Sequence, residues 1–370
     1  MWSALWCVGP FISASKPALS VVGQLRSAFV TSSKSWAKDA SLSVPDKSSS
    51  SAVIFGCSGT SLDTAERKFF AAINPLGLIV FARNVESPSQ LRALIREFTE
   101  TVATSDPLIL IDQEGGRVAR LGPPYWRETI PAKKFGDIYR LDKVKGDEAA
   151  RINAVIQGAE LADLGINVNC TPVADLAWPE THEIIGDRSF GGSCKAISAL
   201  CRVVCEGHLE SGVLPVIKHI PGHGRATADS HLELPFVDAA LEDLQRTDFV
   251  PFLALNDMPI AMTAHIVYRA IDAKRPATLS STVISKIIRG VLNFNGLLLS
   301  DDLGMKALDG GFSDRASSAL SAGCDVILHC SGILEEMYDV AEGTGPLKGQ
   351  SLERLEKALS LIAVDPQQQR

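Results

Sequence analysis

The sequence predicts a single-domain α/β fold, a (β/α)8 TIM-type barrel. Three observations carry that prediction. From residue 52 onward, eight short apolar runs recur, each followed by a longer stretch with helical spacing. The runs are continuously apolar rather than alternating, as strands of a parallel sheet buried on both faces must be. The polar, reactive residues gather at the C-terminal ends of the runs, where a barrel of this kind opens its pocket.

In order, the runs are AVIFGC (52–57), GLIVFARN (77–84), PLILIDQE (107–114), INVNCTPVADL (166–176), VLPVIKHI (213–220), PIAMTAHIVY (259–268), GLLLSDDL (296–303) and CDVILHC (324–330). Between them, SPSQLRALIREFTETV (87–102) reads as a helix with Ser87 or Ser89 as its cap. The stretches 147–165 and 241–255 also read as helices. A doubly wound open sheet is the rival. It usually has fewer strands and often a phosphate-binding glycine fingerprint, and neither G-x-G-x-x-G nor G-x-x-x-x-G-K-[ST] occurs.

Residues 1–50 differ from the rest, with thirteen serines, five Lys or Arg and two acids, and with Pro10, Pro17 and Pro45 interrupting any helix. They read as a disordered extension. A basic, Ser-rich and acid-poor transit segment is the alternative. The barrel is expected over 51–370. The net charge of -7 argues against a nucleic-acid surface. No apolar stretch reaches the ~18 residues that a membrane span requires. The eight cysteines include no C-x-x-C pair, and several lie in apolar runs. They read as buried free thiols in a reducing compartment.

Five constellations carry chemistry. IDQEGGRVARL (111–121) delivers Asp112, Glu114, Arg117 and Arg120 around Gly115 and Gly116. It either grips a polar ligand or forms a solvated turn with a local ion pair. KHIPGHGRATADSHLELP (218–235) is a loop carrying Lys218, His219, His223, Asp229 and His231. Its histidines suit a metal site. Alternatively, Asp229 and His231, two apart, form an acid–His dyad able to move protons near neutral pH. His223 reads as a brace. In LLLSDDLGMKAL (297–308), Asp301 at the strand tip suits chemistry, while Asp302 suits a cap or brace. GDRSFGG (186–192) offers Arg188 as a planar donor fork or as a loop brace. In MTAHIVYRAID (262–272), His265 reads as a brace rather than a catalyst.

Together, IDQEGGRV, KH-x-PGHG-x4-DSH, MTAHI-x-Y and SDDL-x-M resemble the bacterial N-acetylglucosaminidases of glycoside hydrolase family 3, of the cell-wall recycling type. The likeness runs from about residue 55 to 330, with Ile220 where the family usually has Phe. The resemblance implies a retaining β-N-acetylhexosaminidase that is monomeric, cytoplasmic and free of metal or other cofactor. Its substrate would be terminal β-linked N-acetylglucosamine on a muropeptide or chitin fragment. Asp301 would be the nucleophile, His231 the general acid/base and Asp229 its partner. Asp112, Arg120, Arg188, Lys218 and His219 would bind the sugar. The DSH end of the long loop separates this subgroup from family members that behave as β-glucosidases. A family β-glucosidase or β-xylosidase remains a rival, as does a metal-dependent barrel hydrolase with His219, His223, His231 and Asp301 as ligands.

Overall fold

A computed structural model describes residues 50–104, 106–178, 184–226, 228, 230 and 232–362. The N-terminal extension, Cys7, Asp229 and His231 lie outside the described residues. Among the described residues ten strands form: β1 Ser51–Phe55, β2 Pro75–Val80, β3 Leu108–Ile111, β4 Val168–Asn169, β5 Leu214–Ile220, β6 Phe236–Val237, β7 Ile260–Thr263, β8 Val267–Tyr268, β9 Leu297–Asp302 and β10 Val326–His329. Eight of them close a parallel barrel in the order β1, β2, β3, β4, β5, β7, β9, β10 and back to β1. Each of the eight apolar runs supplies one barrel strand, and helices separate consecutive strands.

Both faces of these strands are buried, which is why the runs lack alternation. Ile54, Leu110, Val216, Met262, Leu299 and Leu328 pack together in one core, inside the barrel. Their strand neighbours Val53, Ile109, Ile217, Ala261, Leu298 and Ile327 join a second core with the surrounding helices. Helix Pro88–Thr101 follows the same logic. Its side chains Leu91, Leu94, Ile95 and Phe98 form the buried stripe, and the Ser87 side chain caps its start by accepting from Gln90 N.

The end of the barrel opposite the strand tips is closed by the last described helix, Gln350–Ser360, through Leu355 and Ala358. Buried Asp325 ties this closure together. Its carboxylate accepts from Arg289 Nη2 at 2.8 Å, Arg354 Nη1 at 2.7 Å, Ser351 Oγ at 2.6 Å and Leu298 N at 2.8 Å.

Three stretches depart from the sequence reading. The run 166–176 forms only the two-residue β4, and its remaining residues lead into the site. The run 259–268 divides at His265, with β8 leaving the barrel to pair with β6. The helix expected over 241–255 is broken into Leu241–Arg246 and Phe249–Ala254. Pro251 has no N–H to return to Thr247, four residues earlier, so the helix cannot run through. The freed Asp248 turns inward to other work.

Candidate active site

The strand tips bring four acids and their cations together. Asp112 follows β3 directly. Its Oδ1 accepts from Lys218 Nζ at 2.7 Å, and its Oδ2 accepts from Arg120 Nη2 at 3.1 Å. Glu114 lies two residues on. Arg188 reaches it from 74 residues away with a two-pronged contact, Nε to Oε2 and Nη2 to Oε1, both 2.8 Å. Lys218 Nζ also meets Glu114 Oε1 at 2.7 Å. Lys218, buried in β5, therefore bridges both carboxylates. Burial alone would raise the acids' pKa values, but Lys218 with Arg120 and Arg188 outweighs it, and both carboxyls fall below their ordinary range. Lys218 is shifted up by the same partners, against the downward pull of its burial.

The backbone beneath these groups is clamped. Asn169, at the tip of β4, accepts from Gln113 N through Oδ1 and donates through Nδ2 to Gln113 O, each at 3.0 Å. The Gln113 side chain then accepts from Arg120 N at 2.8 Å and Leu121 N at 3.0 Å. Asp112 and Arg120 thus hang from one fixed frame. Gly115 and Gly116 have φ values of +113° and +59°, a region that L side chains rarely adopt. A Cβ on Gly115 would lie 2.2 Å from Ile130 O. These glycines are required for close approach of the neighbouring 130–131 segment. Arg117 is turned away to Asp187, at 2.9 Å.

Asp175, fully buried, was not among the candidates singled out by sequence. It accepts from His219 Nδ1 at 2.7 Å, from His219 N at 3.2 Å and from His223 N at 2.6 Å. One carboxylate so fixes the start of the long loop and the orientation of the His219 ring. Burial pushes Asp175 up, but His219 and the amide donors outweigh it and its pKa is lowered. The loop base is held again from outside. Asp248 accepts from Trp178 Nε1 at 3.1 Å and Arg225 Nε at 2.6 Å, and the Arg225 guanidinium lies 3.9 Å over the Trp178 ring. His223 is a brace, as its sequence context indicates. Its Nε2 pairs with Ser230 Oγ at 3.1 Å, and burial drops its pKa to about 4.

Asp301 ends β9. Its Oδ1 accepts from Asp302 N at 2.8 Å, and it makes no ion pair with any described residue. Burial pulls its pKa up. His265, His219, the Asp302 amide and Lys218 more than offset that, so the carboxyl stays ionised below its usual range. Asp302 is a brace. Its Oδ1 accepts from Gly304 N at 2.9 Å and Cys330 N at 3.0 Å. His265 is likewise a brace. A carbonyl can only accept, so His265 Nε2 donates to Asp302 O at 3.0 Å, and Nδ1 pairs with the Thr278 hydroxyl at 2.7 Å. Burial lowers the pKa of this ring against the opposing pull of Asp301 and Asp302.

Asp112, Arg120, Arg188, Lys218, His219 and Asp301 therefore converge on one face of the barrel. Among the described residues, no group of three His, Cys, Asp or Glu side chains is placed to hold a metal ion. The seven described cysteines are free thiols, and no described helix is long and apolar enough to cross a membrane.

Sequence comparison decides the family. The model of the glycosyl hydrolase family 3 N-terminal domain matches residues 49–359. The chain belongs to glycoside hydrolase family 3. Within that family it groups with the β-hexosaminidases. A β-hexosaminidase of Alkalilimnicola ehrlichii is 38% identical over 283 residues, covering 75% of this chain and 80% of its own. A family 3 β-N-acetylglucosaminidase from a Paenibacillus species superposes with a TM-score of 0.75 at 31% identity. That match covers 88% of this chain but 64% of the longer relative. The NagZ protein of Neisseria gonorrhoeae, solved with N-trifluoroacetyl-D-glucosamine, gives a TM-score of 0.72 at 28% identity, covering 85% of this chain and 98% of its own. The same protein solved with a zinc ion gives 0.76 at 29% identity, covering 84% and 90%. The family 3 match reaches well past residue 330, because the helices that close the barrel floor are part of the same domain.

Proposed function

We propose that this family 3 chain is a retaining exo-β-N-acetylglucosaminidase that releases terminal β-linked N-acetylglucosamine from muropeptides or chitin fragments. One contrast among the strand-tip acids supports this reading most. Asp112 and Glu114 are saturated by Lys218, Arg120 and Arg188, whereas Asp301 is ionised and free of any ion pair with a described residue. A free, ionised carboxylate at the mouth of the pocket suits a nucleophile.

In the mechanism, Asp301 attacks the anomeric carbon while His231 protonates the departing glycosidic oxygen. The C1–O bond to the aglycone breaks, and a covalent glycosyl-enzyme forms through an oxocarbenium-like transition state. His231 then takes a proton from water, which attacks C1, expels Asp301 and releases the sugar with retained configuration. Asp229 fixes the tautomer of His231. Asp112, Arg120, Arg188, Lys218 and His219 bind the sugar. The carboxylate-bound cations present N–H donors to its hydroxyls, and His219, oriented by Asp175, presents its second ring nitrogen. The gonococcal relative's N-trifluoroacetylglucosamine complex supports the N-acetyl preference.

The test is hydrolysis of 4-nitrophenyl β-N-acetylglucosaminide beside the matching β-glucoside, before and after prolonged chelation. Strong preference for the N-acetyl substrate, surviving chelation, is the outcome this reading requires. Preference for the glucoside overturns the subgroup, and loss on chelation turns the chemistry to a metal.

A further inference from the structure

Two residues just past β2, Phe81 and Arg83, meet the proposed sugar-binding group without belonging to it. Phe81 follows β2 directly, so it stands at the face of the barrel where the strands end. The Arg120 guanidinium lies over its ring, with Cζ 5.0 Å from the ring centre. The Arg83 guanidinium lies over the same ring at 4.9 Å. Both distances fall within the ~6 Å reach of attraction between a cation and the negative face of an aromatic ring.

The ring is held in place. Phe81 N donates to Asn84 Oδ1 at 2.9 Å, and the buried Asn84 donates through Nδ2 to Cys57 O at 3.1 Å and Gly59 O at 2.8 Å. Arg83 donates through Nε to Cys57 O at 2.9 Å and through Nη2 to Cys330 O. Cys57 lies just past β1 and Cys330 just past β10. Phe81 and the cation on it are therefore tied to the tips of two neighbouring barrel strands.

Arg120 is the cation of the site that needs such help. Arg188 grips Glu114 with two prongs, and Lys218 bridges two carboxylates. The Arg120 side chain has one hydrogen-bond partner among the described residues, Asp112 Oδ2, at 3.1 Å from Nη2. That is long for a charge-assisted contact. Its Nε is buried and has no partner. A single contact at one end of a guanidinium leaves the group free to swing. A second carboxylate would occupy more of its N–H donors. A ring attracts the cation without an acceptor oxygen, so donors remain available to a sugar.

We infer that Phe81 is a positioning residue for sugar binding: its ring, fixed through Asn84 and Arg83, holds the Arg120 guanidinium beside Asp112. The inference rests on the proposed N-acetylglucosaminidase activity and adds to it a residue that acts through Arg120.

The experiment measures kcat and KM for 4-nitrophenyl β-N-acetylglucosaminide in wild type, Phe81→Leu, Phe81→Tyr and a protein carrying phenylalanine fluorinated at three ring positions at residue 81. Fluorination keeps the shape of the ring and empties its negative face, so this protein folds as wild type does. Fluorination and Phe81→Leu should each raise KM about threefold or more, from the strength of such contacts. Phe81→Tyr, which keeps the ring face, should stay within about twofold of wild type. The kcat values should change less than KM, because Arg120 is assigned to binding and not to the reacting atoms. In an Arg120→Met background, fluorination should change KM no further. A fluorinated protein with the wild-type KM overturns the inference, since the ring would then serve packing alone, and so does an equal fluorination effect in the Arg120→Met background. In both cases the enzymatic reading stands. Failure of wild type to cleave the substrate overturns both.

Discussion

Glu114 and Arg188 meet in a two-pronged contact at 2.8 Å across 74 residues of sequence, with their side chains 4% and 9% exposed. This pair joins the β3 tip to the loop after β4 and sets the wall of the pocket. Lys218 completes it from β5. Removing the acid strands buried Arg188 and takes one of the two carboxylate partners of Lys218, which keeps Asp112. Glu114→Gln should therefore lose ~3–5 kcal/mol of stability in chemical denaturation. It should also raise KM for the aryl N-acetylglucosaminide, since Arg188 would no longer be held. Unchanged stability would show that the pair is solvated rather than buried.

Asp175 acts through His219 and is a positioning residue. Asp175→Ala removes the partner of a ring nitrogen and two buried amides, so kcat should fall ~10²-fold or more, with KM less affected. Asp175→Asn keeps one acceptor and should recover part of the loss. A variant with a wild-type rate and pH profile would mean that His219 needs no orientation.

Acid should destabilise the fold in two stages. His208 and His223 are buried, which drops each pKa to about 4 from an ordinary 6.5. The unfolded chain binds protons at these sites first, so stability falls as pH drops from about 6.5 toward 4. Asp112, Asp175 and Asp301 are lowered from 3.8, so their stabilisation is present above that value and is lost as pH falls further. Denaturant midpoints measured from pH 7 to 4 check the first stage, and a flat profile would contradict it.

Asp325→Ala should cost ~3–5 kcal/mol, because Arg289 and Arg354 lose their shared buried partner. The kinetics should be unchanged at temperatures where the variant is folded, since Asp325 lies at the closed end of the barrel. A change in KM would show coupling between floor and mouth.

Much of this was legible in the residues. The continuous apolar runs located all eight barrel strands, because a sheet buried on both faces has no polar side to disguise it. The strand-end rule found Asp112, Lys218, His219 and Asp301, which the structure brings together. Arg188 came from its glycine-flanked loop, and the structure supplies its partner. Asp175 was missed because it lies inside a run read as one long strand, and only the early end of β4 at Asn169 exposes it. The Asn169–Gln113 clamp was illegible for another reason. Amide side chains pair through geometry that sequence spacing does not encode, here across 56 residues. The break in 241–255 was readable from Pro251, and its purpose was not, since Asp248 serves Trp178 and Arg225 from distant segments.

The most direct test of the central claim is to trap the glycosyl-enzyme. Wild type would be incubated with a 5-fluoro-N-acetylglucosaminyl fluoride, its intact mass measured, and the adduct located by peptide mapping. The account predicts one N-acetylhexosaminyl adduct, carried on Asp301 and absent from Asp301→Ala. An adduct on another residue, or turnover of the reagent by Asp301→Ala at the wild-type rate, would contradict it.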